Sequence, residues 1–271
     1  MLRILTLSAV AISALALSAH SIDAQQVVGR GDRVFTTSAP VGTGGAVRIF
    51  ASVGDITITE GSGSTVEFRA EKDTRRGKVE DAGFIVLRDG DGVTICAVFD
   101  DDDRCDHDGL RSDSRSKWNR NWRDRVRLTM TVTVPRGARL HTSSGNGDVS
   151  LQAAVAEAKV RSGNGKVRIA DVTGWVDASS GNGDVRVTMD RLTGNEDMEF
   201  TSGNGRIEVI VPSDFSADVE ANTGNGRIST DFPITIQGKL SRNRLRGTIG
   251  NGGRRLKLST GNGSMEIRKR M

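Results

Sequence analysis

The sequence has no tyrosine, and aromatic residues make up only 4% of it. Hydrophobic residues reach 36%, below the usual globular share. Both shortages argue against a large compact core. Only four prolines and two cysteines occur in 271 residues. Beyond the N-terminus no apolar run reaches membrane-spanning length. Charged residues stand at an ordinary 27%, which argues against wholesale disorder. Glycine, in contrast, occurs 33 times, and with no collagen period this points to tight turns repeated many times.

The first 24 residues read as a secretory signal peptide. Arg3 supplies the positive start, residues 4–17 the apolar stretch, and small residues lead to a cleavage site after Ala24, with Ser21 as the alternative. An uncleaved anchor is the other reading, although the apolar stretch is short for a span. No cysteine stands near the cleavage region to carry a lipid. The mature chain is expected in the periplasm, on the cell surface or outside the cell, with no transmembrane anchor. Cys96 and Cys105, a close pair in an exported chain, read as one disulfide. Closing so short a loop contributes roughly 2–3 kcal/mol on the loop-entropy model. A metal centre would need more ligands than this pair and His107 supply, and no cofactor is implied.

One phrase recurs through the second half. It appears as Gly145-Asn146-Gly147, Gly163-Asn164-Gly165, Gly181-Asn182-Gly183, Gly203-Asn204-Gly205, Gly224-Asn225-Gly226 and Gly261-Asn262-Gly263, each after Ser or Thr. A degenerate copy is Gly250-Asn251-Gly252. The steps are 18, 18, 22 and 21 residues up to Gly224, a period near 20 that signals a solenoid. Apolar residues alternate after each phrase (Val149/Leu151, Val167/Ile169, Val185/Val187, Ile207/Val209, Leu256/Leu258) and before it (Ala158/Val160, Val176/Ala178, Met198/Phe200, Val219/Ala221). Period-two alternation of this kind means half-buried strands. Glycine and asparagine tolerate positive φ, so each phrase can form a sharp corner. Stacked corners would bring Asn146, Asn164 and Asn182 into an amide ladder. A meander of separate Asn-Gly hairpins is the alternative. No Lys-Ser/Thr follows the glycines and no helix pattern is present, so this is not a phosphate loop.

The fold class is therefore all-β: a β-solenoid of roughly 20-residue repeats with a diverged N-terminal part. Residues 25–45 read as an irregular lead-in and 46–271 as the repeat domain, with an insertion at about 100–125. Val134-Pro135-Arg136-Gly137-Ala138 before the first phrase, and Val211-Pro212-Ser213-Asp214-Phe215 before Thr223-Gly224-Asn225-Gly226, carry a resemblance. The chain resembles the bacterial putative-adhesin family of exported β-strand-repeat proteins, a domain-of-unknown-function family, over about residues 45–268. The resemblance implies a β-solenoid or roll with an adhesin-like or envelope-associated role. It defines no catalytic residues.

Catalysis finds little support in the residues. His107 and His141 have no nucleophile that spacing can nominate. Asp148 and Asp184 share a corner position two steps apart, which at strand spacing separates them by roughly 9–10 Å. That is the upper edge for an inverting glycosidase, but Lys166 stands between them and Arg206 and Arg227 follow. A solvated ladder of alternating charge is the simpler reading. The same mixture cannot hold calcium in every corner. The Asp100–Asp103 run with Asp106 and Asp108 is the better cation candidate, though it lacks the ordered spacing of a known loop.

Charge is unevenly spread. Residues 30–110 carry 10 basic and 16 acidic side chains, residues 111–271 carry 27 and 17, and residues 239–271 alone carry 10 and one. Arg255, Lys257, Arg268, Lys269 and Arg270 could therefore attract anionic envelope glycan or lipid headgroups. Equally, such charge could cap the open edge of a solenoid. Trp118 and Trp122, set among arginines, offer a second surface for sugars, or a cover for the first rungs. Export argues against nucleic acid as a partner. The expected function is a non-catalytic, envelope-associated or adhesin-like binding protein. The alternatives are a structural or stress-response envelope protein that binds another protein, and a polysaccharide-cleaving enzyme.

Overall fold

The computed structural model describes residues 25–74, 77–111, 126–237 and 241–270. Within them the chain forms a 12-stranded sheet, a 10-stranded sheet and a two-stranded hairpin. A single coil shows how the repeat builds this. Strand Glu157–Asn164 belongs to the larger sheet and strand Val167–Ala170 to the smaller, with Gly165 and Lys166 at the corner between them. Ala158, Val160, Val167 and Ile169 are buried between the sheets, while the intervening residues face outward. Alternation at period two makes this inevitable once one face of each strand is covered.

Seven such coils stack in parallel, in the order 46–61, 139–152, 157–170, 175–188, 198–211, 255–269 and 217–230. The register keeps the phrase aligned, so Asn146, Asn164, Asn182, Asn204, Asn262 and Asn225 stand side by side. Positive φ is not what the phrase requires. Among the described residues Asp171 is the only non-glycine with positive φ, and the leading glycines lie within strands. They are needed because the coils approach closely there. A Cβ on Gly163 would collide with the carbonyl of Gly145, and one on Gly165 with that of Gly147. The preceding Ser or Thr is buried and also has a defined partner. Ser162 Oγ donates to the Gly147 carbonyl at 2.8 Å, and Ser180 repeats the bond to Gly165 at 2.8 Å. The degenerate copy at Gly250-Asn251-Gly252 is a different object, with left-handed glycines at φ 57° and 72°, in the turn between strands Arg244–Ile249 and Arg255–Asn262. Leu256 and Leu258 consequently precede a corner rather than follow one, in register with Met198 and Phe200.

The C-terminal coil overturns the expectation that its basic charge caps an open end. It lies inside the stack, between two coils that precede it in sequence. On the outer face of the larger sheet charge favours this position, whereas in the smaller sheet Glu208 and Glu266 stand in register and share Arg268. Lys257 stands between Glu199 and Glu220 in register, and its Nζ donates to Glu199 Oε1 at 2.8 Å. Both carboxylates, Glu199 foremost, raise the Lys257 pKa. Arg255 stands opposite Asp218, and its amide donates to Asp197 at 2.8 Å. Stacking coils in chain order would set Glu199 against Glu220, a like-charge pair that strand neighbours avoid.

Antiparallel strands close the stack instead. At one end these are Gly83–Asp89 and Val27–Val28 in the larger sheet, with Thr65–Asp73 and Val34–Pro40 in the smaller. The lead-in is thus not irregular: Val34–Pro40 pairs along its whole length with Thr65–Asp73. At the other end Arg244–Ile249 and Ile234–Ile236 extend the larger sheet. The scarce aromatics gather at these ends. Phe35, Phe68 and Phe84 form one cluster, with Phe35 and Phe84 stacked at 4.8 Å, and Phe215 meets Phe232 at 6.1 Å at the other. Beneath the first cluster lies Lys72, fully buried, whose ammonium donates to the carbonyls of Gly29, Arg30, Val79 and Ala82 at 2.6–3.1 Å. Burial draws its pKa down to about 8, against the opposing pull of Asp32 and Glu80.

Gly163→Ala should destabilise the protein by about 1–3 kcal/mol, the usual cost of overpacking. Gly31→Ala, which meets open space, should stay within about 0.5 kcal/mol of wild type. Urea midpoints measure both. Lys257→Glu aligns three carboxylates and should lower Tm more than Lys257→Gln. Added salt should recover part of the difference, and equal Tm values for the two variants would refute the charge account of coil order.

Candidate functional site

The stacked corners form one long edge. Along it each asparagine amide donates to the next coil's carbonyl oxygen: Asn164 to Asn146 at 2.8 Å, then Asn182 to Asn164, Asn204 to Asn182, Asn262 to Asn204 and Asn225 to Asn262, all at 2.7 Å. Every member is exposed, so the ladder presents a row of ordered amides to solvent.

The residue after each phrase, two beyond the asparagine, serves the corner when it is aspartate. Asp55 accepts from the Asp148 amide at 2.9 Å, Asp148 from the Lys166 amide at 2.8 Å, and Asp184 from the Arg206 amide at 2.9 Å. Asp148 also accepts from Arg168 at 3.1 Å. Burial alone would raise its pKa, but the Lys166 amide and the Arg168 guanidinium outweigh it and hold the carboxyl below its ordinary value. A general acid needs the opposite shift. The geometry therefore gives these carboxylates a structural task.

Beside this row, on the outer face of the smaller sheet, lies a groove of about 480 Å³. Lys166, Arg168, Arg186 and Arg206 line it, with Asp184 and Glu208. Glu208 is only 7% exposed and lies beneath two guanidinium groups, Arg186 at 2.9 Å and Arg268 at 3.3 Å. The arginine side chains are about half exposed, and the more buried Glu208 and Glu266 hold Arg186, Arg206 and Arg268 from below, while Arg168 pairs with an equally exposed Asp148. Such a surface offers several fixed donors to an anionic ligand. Sequence reasoning did not single out Lys166, Arg168, Arg186 and Arg206 as a group. Their adjacency follows from the strand register, which repeats of unequal length conceal.

The residues expected to form an anionic-ligand surface are not brought together. Arg255 and Lys257 face outward from the larger sheet, against acidic neighbours. Arg268 joins the groove on the smaller sheet, Lys269 Nζ sits 5.2 Å from the Phe232 ring centroid, and Arg270 pairs with Asp190. Trp118 and Trp122 lie outside the described residues. Cys96 and Cys105 form a disulfide. It fastens the hairpin Arg104–Asp106/Gly109–Arg111 over a small apolar cluster of Phe50, Ile85 and Val98 on the outer face of the larger sheet. In the acidic loop, Asp103 is buried and accepts from the Phe99 and Asp100 amides, and Asp106 accepts from those of Asp108 and Gly109. These carboxylates shape turns.

His141 packs edge-on against Phe50, with ring centroids 4.9 Å apart. Burial, then the nearby Lys159, Arg161 and Arg48, lower its pKa to about 4. The fold thus excludes a proton that the unfolded chain binds near pH 6.5. Its contribution is complete above pH 6.5 and is lost as pH falls from 6.5 towards 4. Unfolding free energies measured across pH 4–7 should decline more steeply in wild type than in His141→Gln. Parallel curves would contradict the assignment.

The comparisons bear on the whole of this architecture. No curated protein matches the chain. Several solved structures are similar to it, two of them over nearly their whole length. One is a proposed cell adhesion protein from Clostridium sporogenes ATCC 15579, 12% identical, covering 88% of this chain and 100% of that one, with a TM-score of 0.44. The other is a proposed adhesin from Bacteroides fragilis NCTC 9343, 14% identical, covering 89% and 99%, with a TM-score of 0.38. The Toastrack DUF4097 family model matches residues 47–268, which span the seven parallel coils almost completely. The chain belongs to the Toastrack DUF4097 family.

Proposed function

We propose that this protein is an exported, non-catalytic, adhesin-like binding protein that works by display. The observation that carries the reading is the common register of seven coils, which fixes outward side chains in rows at strand spacing. Many weak contacts made at once give useful avidity, and a rigid scaffold lowers the entropy lost in making them. The corner carboxylates that an enzyme would use accept backbone amides instead. Export rests on the N-terminal signal pattern, which lies outside the described residues, and on the disulfide, which suits an oxidising compartment. The groove of Lys166, Arg168, Arg186 and Arg206 suits an anionic envelope polymer or lipid headgroup.

Binding of the mature protein to isolated envelope fractions should saturate and should weaken as salt rises. The double variant Lys166→Gln/Arg206→Gln, which removes the two cations without lining up carboxylates, should bind less at low salt with little change in Tm. Vesicles with anionic headgroups and lipid-free glycan, tested separately, identify the source of the charge. No binding at low salt, or equal binding by the double variant, would sink the electrostatic reading.

A further inference from the structure

The repeat step from Gly181 to Gly203 is 22 residues, four longer than the two before it. Those extra residues fall in the return turn before strand Met198–Asn204, and they build a groove on the outer face of the larger sheet. Thr193 continues the stacked return turns, donating to the Thr173 carbonyl from its amide at 2.9 Å and its hydroxyl at 2.7 Å. Gly194, at φ 84°, then swings the chain outward. Three bonds hold the displaced segment in place. Trp175 Nε1 donates to the Asp197 carbonyl at 2.6 Å, Arg254 to the Gly194 carbonyl at 2.7 Å, and the Arg255 amide to the Asp197 carboxylate at 2.8 Å.

The resulting groove has a volume of about 440 Å³, within the range of about 300–1,000 Å³ typical of small-molecule pockets. Trp175 is half-buried in it. The single polar atom of the indole is already bonded, so what the ring offers is its apolar face. Gly174 lets the backbone pass close against the Ala156 carbonyl, where a Cβ would collide, and so sets the floor of the groove. Glu157, in strand register with Trp175, and the exposed Glu196 add two carboxylates, the Thr193 hydroxyl is left only as an acceptor by its bond to Thr173, and among the described residues no basic side chain lines the groove.

We propose that this groove is a subsite for a neutral or amino-substituted sugar ring. The apolar C–H face of a pyranose lies flat on the indole, while its hydroxyl or ammonium groups donate to Glu157 and Glu196. The same carboxylates repel uronic acids and phosphorylated sugars, so the site is chemically opposite to the basic groove on the other sheet. The inference rests on the display reading and gives it a second ligand class.

Trp118→Phe/Trp122→Phe leaves Trp175 as the sole tryptophan, so its fluorescence reports on the groove alone. Oligomers of glucosamine and N-acetylglucosamine should shift that emission saturably, and galacturonate oligomers should not. In the otherwise native protein, Trp175→Ala should weaken calorimetric binding of the responding oligomer by at least about tenfold, and Trp175→Phe by less. Glu196→Gln alters an exposed side chain, so its fold should be unaffected. It should weaken the glucosamine oligomer more than the N-acetylated one. Equal affinity of Trp175→Ala and wild type, or preference for galacturonate, would overturn the subsite. A lack of response to all three oligomers while envelope binding persists would overturn it too, and would leave the display reading standing.

Discussion

Two parallel coils can share a corner only if their backbones nest there. Here the nesting depends on the absence of a Cβ at two positions of every phrase, because a Cβ on either the leading or the trailing glycine would collide with the carbonyl of the neighbouring coil. Once the corners nest, the remaining features follow from the register. The Ser or Thr hydroxyl reaches the neighbouring glycine carbonyl, the asparagine amides meet in a continuous ladder, and the aspartates cover exposed amide groups of the following coil. Inward side chains then fill the narrow space between sheets with Val, Ile, Leu and Ala, which explains a core that does without tyrosine. Most of the phenylalanines lie at the two ends of the stack, and Phe200 is the ring buried within it.

Backbone pairing makes coils stack but does not say which coil goes where. The glycine contacts and the asparagine ladder recur at every phrase, so by themselves they do not choose an order. Order comes from the outward residues, the positions that the repeat leaves free to vary. Acidic side chains on coils 198–211 and 217–230 exclude each other and accept the basic coil 255–269 between them. Individually these exposed pairs are worth little. Their effect lies in discriminating among arrangements that the corners alone do not rank.

The repeating part of the fold was legible in the sequence because glycine spacing and period-two alternation are local signals. Val167/Ile169 and Ala158/Val160 declare their inward face without reference to anything distant. The disulfide and the amide ladder could be anticipated for the same reason. What stayed hidden depends on partners far away in the chain. Arg255 and Lys257 looked like a cap because their acidic neighbours are separated from them by a hairpin. Val34–Pro40 looked irregular because its partner, Thr65–Asp73, is needed to see an edge strand. Lys72 occurs in an alternating strand pattern that predicts an inward position, yet nothing local indicates four carbonyls waiting for its ammonium. Trp175 was concealed by the regularity itself, since its groove arises from one step that breaks the period.

The inserted coil also sets a rule for the order in which the chain can be completed. Among the described residues, coil 217–230 has coil 255–269 as its only parallel neighbour in both sheets, and strand Ile228–Thr230 pairs with nothing else. During synthesis from the N-terminus, the earlier coils can join a growing template one by one, but this stack cannot lengthen past residue 211 until residues 255–269 have emerged. Roughly the last fifth of the polypeptide must therefore assemble as a single event. A ribosome that pauses in that region would hold an unfinished edge open.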